Sequence, residues 1–114
     1  MPRFSIIVPC FNAEATIGQT LAGLIEQSFQ DWEAICIDDG STDATAELIQ
    51  DIAKTDARIH LVSHAEKGPS SARNTGVAHH AHGDLIAFCD ADDIWRPNKL
   101  LQLISVFDDP KVDG

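Results

Sequence analysis

Short unbroken apolar runs alternate along this chain with stretches in which apolar residues recur every three or four positions, and that alternation predicts strands followed by helices. Phe4 to Val8 is an apolar, β-branched run closed by Pro9, the composition of a strand buried on both faces. From about Ala13 to Gln27, Ile17, Leu21, Leu24 and Ile25 fall at helical spacing. Trp32 to Ile37 reads as a second strand. Ser41 or Thr42 is then expected to cap a helix carrying Asp43 in its first turn and an inward stripe of Leu48, Ile49, Ile52 and Ala53. Ile59 to Val62 is a third strand, and Gly68-Pro69-Ser70-Ser71 opens a third helix running toward Gly83. Leu85 to Cys89 is a fourth strand, and Pro97 at a first turn with Leu100, Leu101, Ile104 and Phe107 makes the last helix.

Strands separated by helices require crossover connections, so the expected fold class is α/β: a largely parallel, Rossmann-like sheet flanked by helices. No repeat, low-complexity segment or linker interrupts it. The sequence stops after Asp113-Gly114, where another strand is expected to begin, so the 114 residues are expected to be part of a longer protein.

Composition narrows the function classes. A hydrophobic fraction of 44% with 23% charged residues suits one soluble domain with a real core. A formal net charge of −10 argues against nucleic acid or an anionic membrane surface as partner, so an anionic ligand needs a cation or a local arginine. No apolar run approaches the roughly 20 residues of a bilayer span and no signal-peptide pattern opens the chain. The cytoplasm is the expected location, with the inner face of a membrane open to the longer protein. Cys10, Cys36 and Cys89 each sit within or at the end of an apolar run, as buried reduced thiols do.

The candidate chemistry lies at the strand ends. Asp90-Ala91-Asp92-Asp93 places three carboxylates in four residues directly after the fourth strand. Like charges this close repel, and a bound divalent cation removes the repulsion and creates a hard-oxygen site. The alternative is a solvated acidic loop and helix cap. Three such segments share one position: Pro9 to Asn12 follows the first strand, Asp38 to Asp43 the second and Asp90 to Asp93 the fourth, with Arg73 early on the helix entered from the third. Open parallel sheets bind ligands beyond the carboxyl ends of their strands. A nucleoside diphosphate suits these residue types: Asp39 can accept from a base N–H or a ribose hydroxyl, Asp90 and Asp92 can share Mg²⁺ or Mn²⁺, and Arg73 offers phosphate a forked donor. Turn and cap chemistry is the competing reading of Asp38 and Asp43, and a surface ion pair that of Arg73. His79, His80 and His82 lack the spacing of a zinc set, and Trp32 and Trp95 read as packing residues, Trp95 close enough to the acids to line their pocket.

Pro9-Cys10-Phe11-Asn12-Ala13-Glu14, Asp38-Asp39-Gly40-Ser41-Thr42-Asp43, Gly68-Pro69-Ser70-Ser71-Ala72-Arg73-Asn74-Thr75-Gly76 and Asp90-Ala91-Asp92-Asp93, in this order, resemble the inverting family 2 glycosyltransferases of GT-A fold over essentially the whole chain. The resemblance implies a part that binds a nucleotide-sugar donor, usually a UDP-sugar, with a divalent metal, Mn²⁺ or Mg²⁺, held by a DXD motif. It implies that Pro9, Phe11 and Asn12 belong to the nucleotide pocket, that Asp39 binds the uracil, and that Arg73 touches the base or diphosphate. Asp90 would lie against the ribose or metal, and Asp92 would ligate the metal. Phe11 stands where the family commonly has Tyr, keeping the ring and losing a hydroxyl. In the mechanism so implied, an acceptor hydroxyl attacks the anomeric carbon in one displacement. The resemblance implies that the catalytic base is a carboxylate expected beyond Gly114, in the acceptor-binding half, and it names no acceptor.

Three other readings compete. A nucleotidyltransferase of similar fold would carry a Gly-rich, Arg-bearing loop after the first strand, unlike Pro9 to Asn12. A phosphoacceptor signalling domain would carry its acidic pair there, whereas the first acids here follow the second strand. A non-catalytic nucleotide-binding module remains open, because binding and catalytic residues are different sets.

Overall fold

The computed structural model describes residues 3–63 and 81–108, the side chains of 106–108 excepted. Its elements are β1 (Phe4–Cys10), α1 (Ile17–Ile25), β2 (Trp32–Asp38), α2 (Thr45–Thr55), β3 (Ile59–Ser63), β4 (Leu85–Phe88) and α3 (Lys99–Asp108). The four strands form one parallel sheet in the order β3-β2-β1-β4. All four strands therefore point the same way, and the carboxyl ends of β1, β2 and β4 share one edge.

The pleat sorts the sheet's side chains onto two faces. On one, Phe4, Ile6, Val8 and Cys10 of β1 and Ala34 and Cys36 of β2 are buried with Ile17, Leu21 and Leu24 of α1, Ile49 of α2 and Leu100 of α3. On the other, Ile7, Ile35 and Ile37 form a smaller cluster with Val62, Ala81 and Ile86. The central pair β1 and β2 is covered on both sides, which is why their sequences read as continuous apolar runs. Trp32 is buried under the guanidinium of Arg58, 3.9 Å from the ring centre, a packing role as expected.

Several boundaries differ from the sequence reading. β1 continues through Pro9 to Cys10, and β2 through Asp38. Ile7 gives its carbonyl to Cys89 on the β4 side, whereas Cys10 gives its carbonyl to Asp39 on the β2 side. Pro9 accordingly faces the β4 side, past the last pair Ile7–Phe88, where the N–H that proline lacks has no strand to meet. α1 starts at Ile17 rather than Ala13, because Ala13 to Thr16 form a turn in which the Ala13 carbonyl accepts from Thr16 and Ile17. α3 starts at Lys99; Pro97 precedes it and turns its carbonyl to the N–H of Ser28. The expected third helix falls largely on residues 64–80, outside the described residues, and Ala81 to Asp84 are not helical.

At the opposite edge of the sheet, Ser5 and Glu33 form a buried polar node. The Ser5 hydroxyl donates to Glu33 Oε2 at 2.6 Å, the His82 N–H donates to the same oxygen at 2.6 Å, and His82 Nδ1 stands 3.1 Å from Oε1. Burial pushes the Glu33 carboxyl up, but the hydrogen bonds from Ser5 and His82 outweigh it and hold it below its ordinary value. Gly83 completes the node: its N–H meets Ser5 Oγ at 2.7 Å, so close to the chain that a Cβ would stand 2.6 Å from the Phe4 and Ser5 backbone.

Candidate functional site

Three loops meet at the carboxyl edge. The first, after β1, exposes the ring of Phe11 (59% accessible) and turns at Asn12, whose φ of 47° is left-handed. Asparagine tolerates this region better than other residues with a side chain. The second, after β2, carries Asp38 and Asp39, each 8% accessible, and Gly40 at φ 77°. The third, after β4, is Asp90 to Asp93.

Hydrogen bonds join the first two loops. Asp39 N–H donates to the Cys10 carbonyl (2.9 Å), Asn12 N–H to Ser41 Oγ (2.9 Å), and Thr42 N–H to Asn12 Oδ1 (2.8 Å). Ala13 N–H donates to Thr45 Oγ1 (2.8 Å), and Ala44 N–H to Glu14 Oε2 (3.1 Å). Ser41 and Thr42 therefore do not cap α2, contrary to expectation, since Asn12 engages them. Asp43 does the work near that terminus: its carboxylate accepts the Thr45 N–H (3.0 Å) and hydroxyl and the Glu14 N–H (3.2 Å). The Thr45 hydroxyl is the main reason that the Asp43 carboxyl lies below its ordinary value.

The third loop is a tight turn in which Asp93 N–H donates to the Asp90 carbonyl at 3.0 Å and Asp93 Oδ2 accepts the Asp90 N–H at 3.4 Å. Asp90, Asp92 and Asp93 are exposed, and each presents a carboxylate oxygen within 4.8 Å of the others. Oxygen donors this close, from exposed carboxylates, fit a hard divalent cation such as Mg²⁺ or Mn²⁺. The adjacent Cys89 thiol offers no competing soft ligand: burial, then Asp93 and Asp90, push it up to about 12.

One helix face carries this loop. On α1 and its flanks, positions 16, 20, 23 and 27 run parallel to the apolar stripe and meet the segment after β4. Thr16 and Thr20 both donate their hydroxyls to the Ala91 carbonyl, each at 2.9 Å. A Cβ on Gly23 would stand 3.2 Å from the Trp95 carbonyl. Gln27, fully buried, donates to the Arg96 carbonyl at 2.6 Å and accepts the Leu100 N–H at 3.0 Å. The apolar stripe alone does not reveal this second one; its signal in the sequence is Thr, Thr, Gly, Gln at spacings of four, three and four.

Of the expected site residues, Phe11, Asn12, Asp39, Asp90 and Asp92 lie in the three loops at this edge. Pro9 lies at the end of β1 rather than in a loop, and Arg73, with His79 and His80, lies outside the described residues. Trp95 is half-buried against the main core, with Lys99 Nζ 5.7 Å from its ring centre.

Residues 5–114 match the family model for glycosyl transferase family 2. The chain belongs to this family. The UDP-Glc:α-D-GlcNAc-diphosphoundecaprenol β-1,3-glucosyltransferase WfgD of Escherichia coli is 41% identical over 103 residues, 90% of this chain and 40% of that protein. Among solved structures, mannosyltransferase PcManGT of Pyrobaculum calidifontis, in complex with GDP-Man and Mn²⁺, superposes with a TM-score of 0.88 at 31% identity, covering 97% of this chain and 34% of that one. TarS 1-349 of S. aureus, in complex with UDP-GlcNAc, superposes at 0.80 and 30% identity, covering 95% and 31%. The four-stranded parallel sheet with flanking helices is thus the family's GT-A architecture in part, and the chain spans 40% or less of the length of these relatives.

Proposed function

We propose that these residues are the donor-binding part of a glycosyltransferase that moves a sugar from a nucleotide-sugar, in the first instance a UDP-sugar, to an acceptor hydroxyl with the help of Mn²⁺ or Mg²⁺. The observation that carries the reading is the common edge. An exposed aromatic ring, a nearly buried carboxylate and a cluster of three carboxylates follow three strands of one sheet and are held by hydrogen bonds between their loops.

In this reading Phe11 offers its face to the base, with Pro9 and Asn12 shaping the pocket beside it. Asp39 accepts from the uracil N–H. Arg73 donates to the base or diphosphate, Asp90 lies against the ribose or the metal, and Asp92 ligates the metal. When bound, the cation neutralises the diphosphate and so helps it to depart. The acceptor oxygen forms its bond to the anomeric carbon as the bond to the diphosphate breaks, and the hydroxyl proton passes to a carboxylate assigned to residues beyond Gly114. The GDP-Man and UDP-GlcNAc complexes of the two structural relatives support a nucleotide-sugar donor, and the Mn²⁺ of the first supports a divalent cation.

Among the described residues no helix is long and apolar enough to cross a membrane. A cytoplasmic place at the inner face of a membrane is our reading of the location, supported by the diphosphoundecaprenol-linked acceptor in the name of WfgD.

The base-recognition role is tested by UDP titration in the presence of Mn²⁺, with GDP as competitor. Losing a hydrogen bond to a buried carboxylate predicts that Asp39→Ala weakens UDP by about tenfold to a hundredfold while Mn²⁺ still binds. Wild-type UDP affinity in Asp39→Ala removes that role.

A further inference from the structure

We infer that Thr16 and Thr20 are positioning residues for the metal-facing turn: their two hydroxyls, fixed on the single carbonyl of Ala91, hold Asp90 and Asp92 in the convergent geometry that a divalent cation requires. The inference rests on the metal reading of Asp90 to Asp93.

Neither threonine makes the bond its local position would favour. Thr16 stands at the N-cap of α1, where a hydroxyl ordinarily accepts an N–H of the first turn, yet it caps nothing; its hydroxyl lies 2.9 Å from Ala91 O and 3.4 Å from Ala13 O. Thr20 lies inside the helix, where a threonine hydroxyl commonly bonds the carbonyl four residues back. Here it reaches across to Ala91 instead. Thr20 is 1% accessible and sits among Ile17, Leu21 and Leu24, a place where valine has the same shape and no polar group to satisfy. What the hydroxyl adds over valine is the bond to Ala91.

The Ala91 carbonyl lies in the peptide plane that carries the Asp92 N–H, so orienting it orients the plane on which Asp92 is mounted, and Asp90 is tied into the same turn by the Asp93 N–H on its carbonyl at 3.0 Å. Two donors, one turn apart at the start of one helix, both engage that oxygen, which has two lone pairs to offer. Asp90 and Asp92 are exposed. Groups that orient metal ligands in this way commonly contribute about 10–100-fold to metal affinity when removed.

The test is Mn²⁺ binding to this chain, followed by the electron paramagnetic resonance signal of free Mn²⁺, with a thermal melt for each variant. Thr16→Val and Thr20→Val, singly and together, are expected to weaken Mn²⁺, the double variant by about tenfold or more. Thr16→Ser/Thr20→Ser keeps both hydroxyls and is expected to bind as wild type. If the double valine variant fails to melt cooperatively, the single variants and the serine pair still decide, since a purely structural role would not follow the hydroxyl. Mn²⁺ affinity lost in Asp92→Asn but unchanged in folded valine variants overturns the positioning role alone. Affinity unchanged in Asp92→Asn overturns the metal reading, and this inference with it.

Discussion

Asn12 Oδ1 accepts the backbone N–H of Thr42 at 2.8 Å while Asn12 itself holds a φ of 47°. One residue therefore both turns the chain after β1 and fastens the first loop of the edge to the second. Asn12→Ala removes the acceptor and places an ordinary side chain in the left-handed region, so a loss of roughly 1–3 kcal/mol is expected in urea unfolding. Asn12→Gly keeps the backbone freedom and loses only the acceptor, and it is expected to cost less.

Glu33 gives the fold a pH dependence of known sign. Its folded-state carboxyl lies below its ordinary value, so its contribution is fully present above the unfolded value and fades as pH falls through the folded one. Glu33→Gln is expected to be less stable than wild type near pH 7 by roughly 1–3 kcal/mol, with the gap closing below about pH 4.3. Urea midpoints measured across pH check this; a gap that widens toward acid would contradict the node as described.

Two glycine substitutions should have opposite signs. Gly18 lies within α1 with nothing within 4 Å of an added Cβ, and Gly18→Ala is expected to stabilise by up to about 1 kcal/mol. At Gly83 the same methyl would meet the Phe4 and Ser5 backbone at 2.6 Å, and Gly83→Ala is expected to destabilise by about 1–3 kcal/mol or more. Thermal melts of the two variants decide it.

The thiols should be silent in the folded state. Cys10, Cys36 and Cys89 are buried and free, and Cys36 is raised well above its ordinary value by its contact with Cys10 and by burial. A thiol reagent at pH 8 is expected to label none of the three in native protein and all of them in denaturant.

Much of this edge is legible in the sequence because strand ends carry their own punctuation. Phe4 to Val8, Trp32 to Ile37 and Leu85 to Cys89 are apolar runs ended by Pro9, Asp38 and Asp90, so both the sheet and the side bearing the acids follow from period and polarity. What does not follow is who bonds whom across loops. Ser41 and Thr42 have the composition of a helix cap, and only the fold brings Asn12 within reach to claim them. Pro9 reads as a terminator, yet it stays in β1 because β4 is too short to pair beyond Ile7. Thr16 and Thr20 carry no such punctuation, since their partner Ala91 is some 70 residues away.

In the proposed site, Asp90 and Asp92 hold a divalent cation on which a nucleotide diphosphate then binds. The measurement is a titration of UDP into this chain with Mn²⁺ and again with a chelator, for wild type and Asp92→Asn. Measurable binding that requires the cation, and loses that requirement together with its affinity in Asp92→Asn, is the predicted result. Equal UDP affinity in Mn²⁺ and in chelator would contradict it.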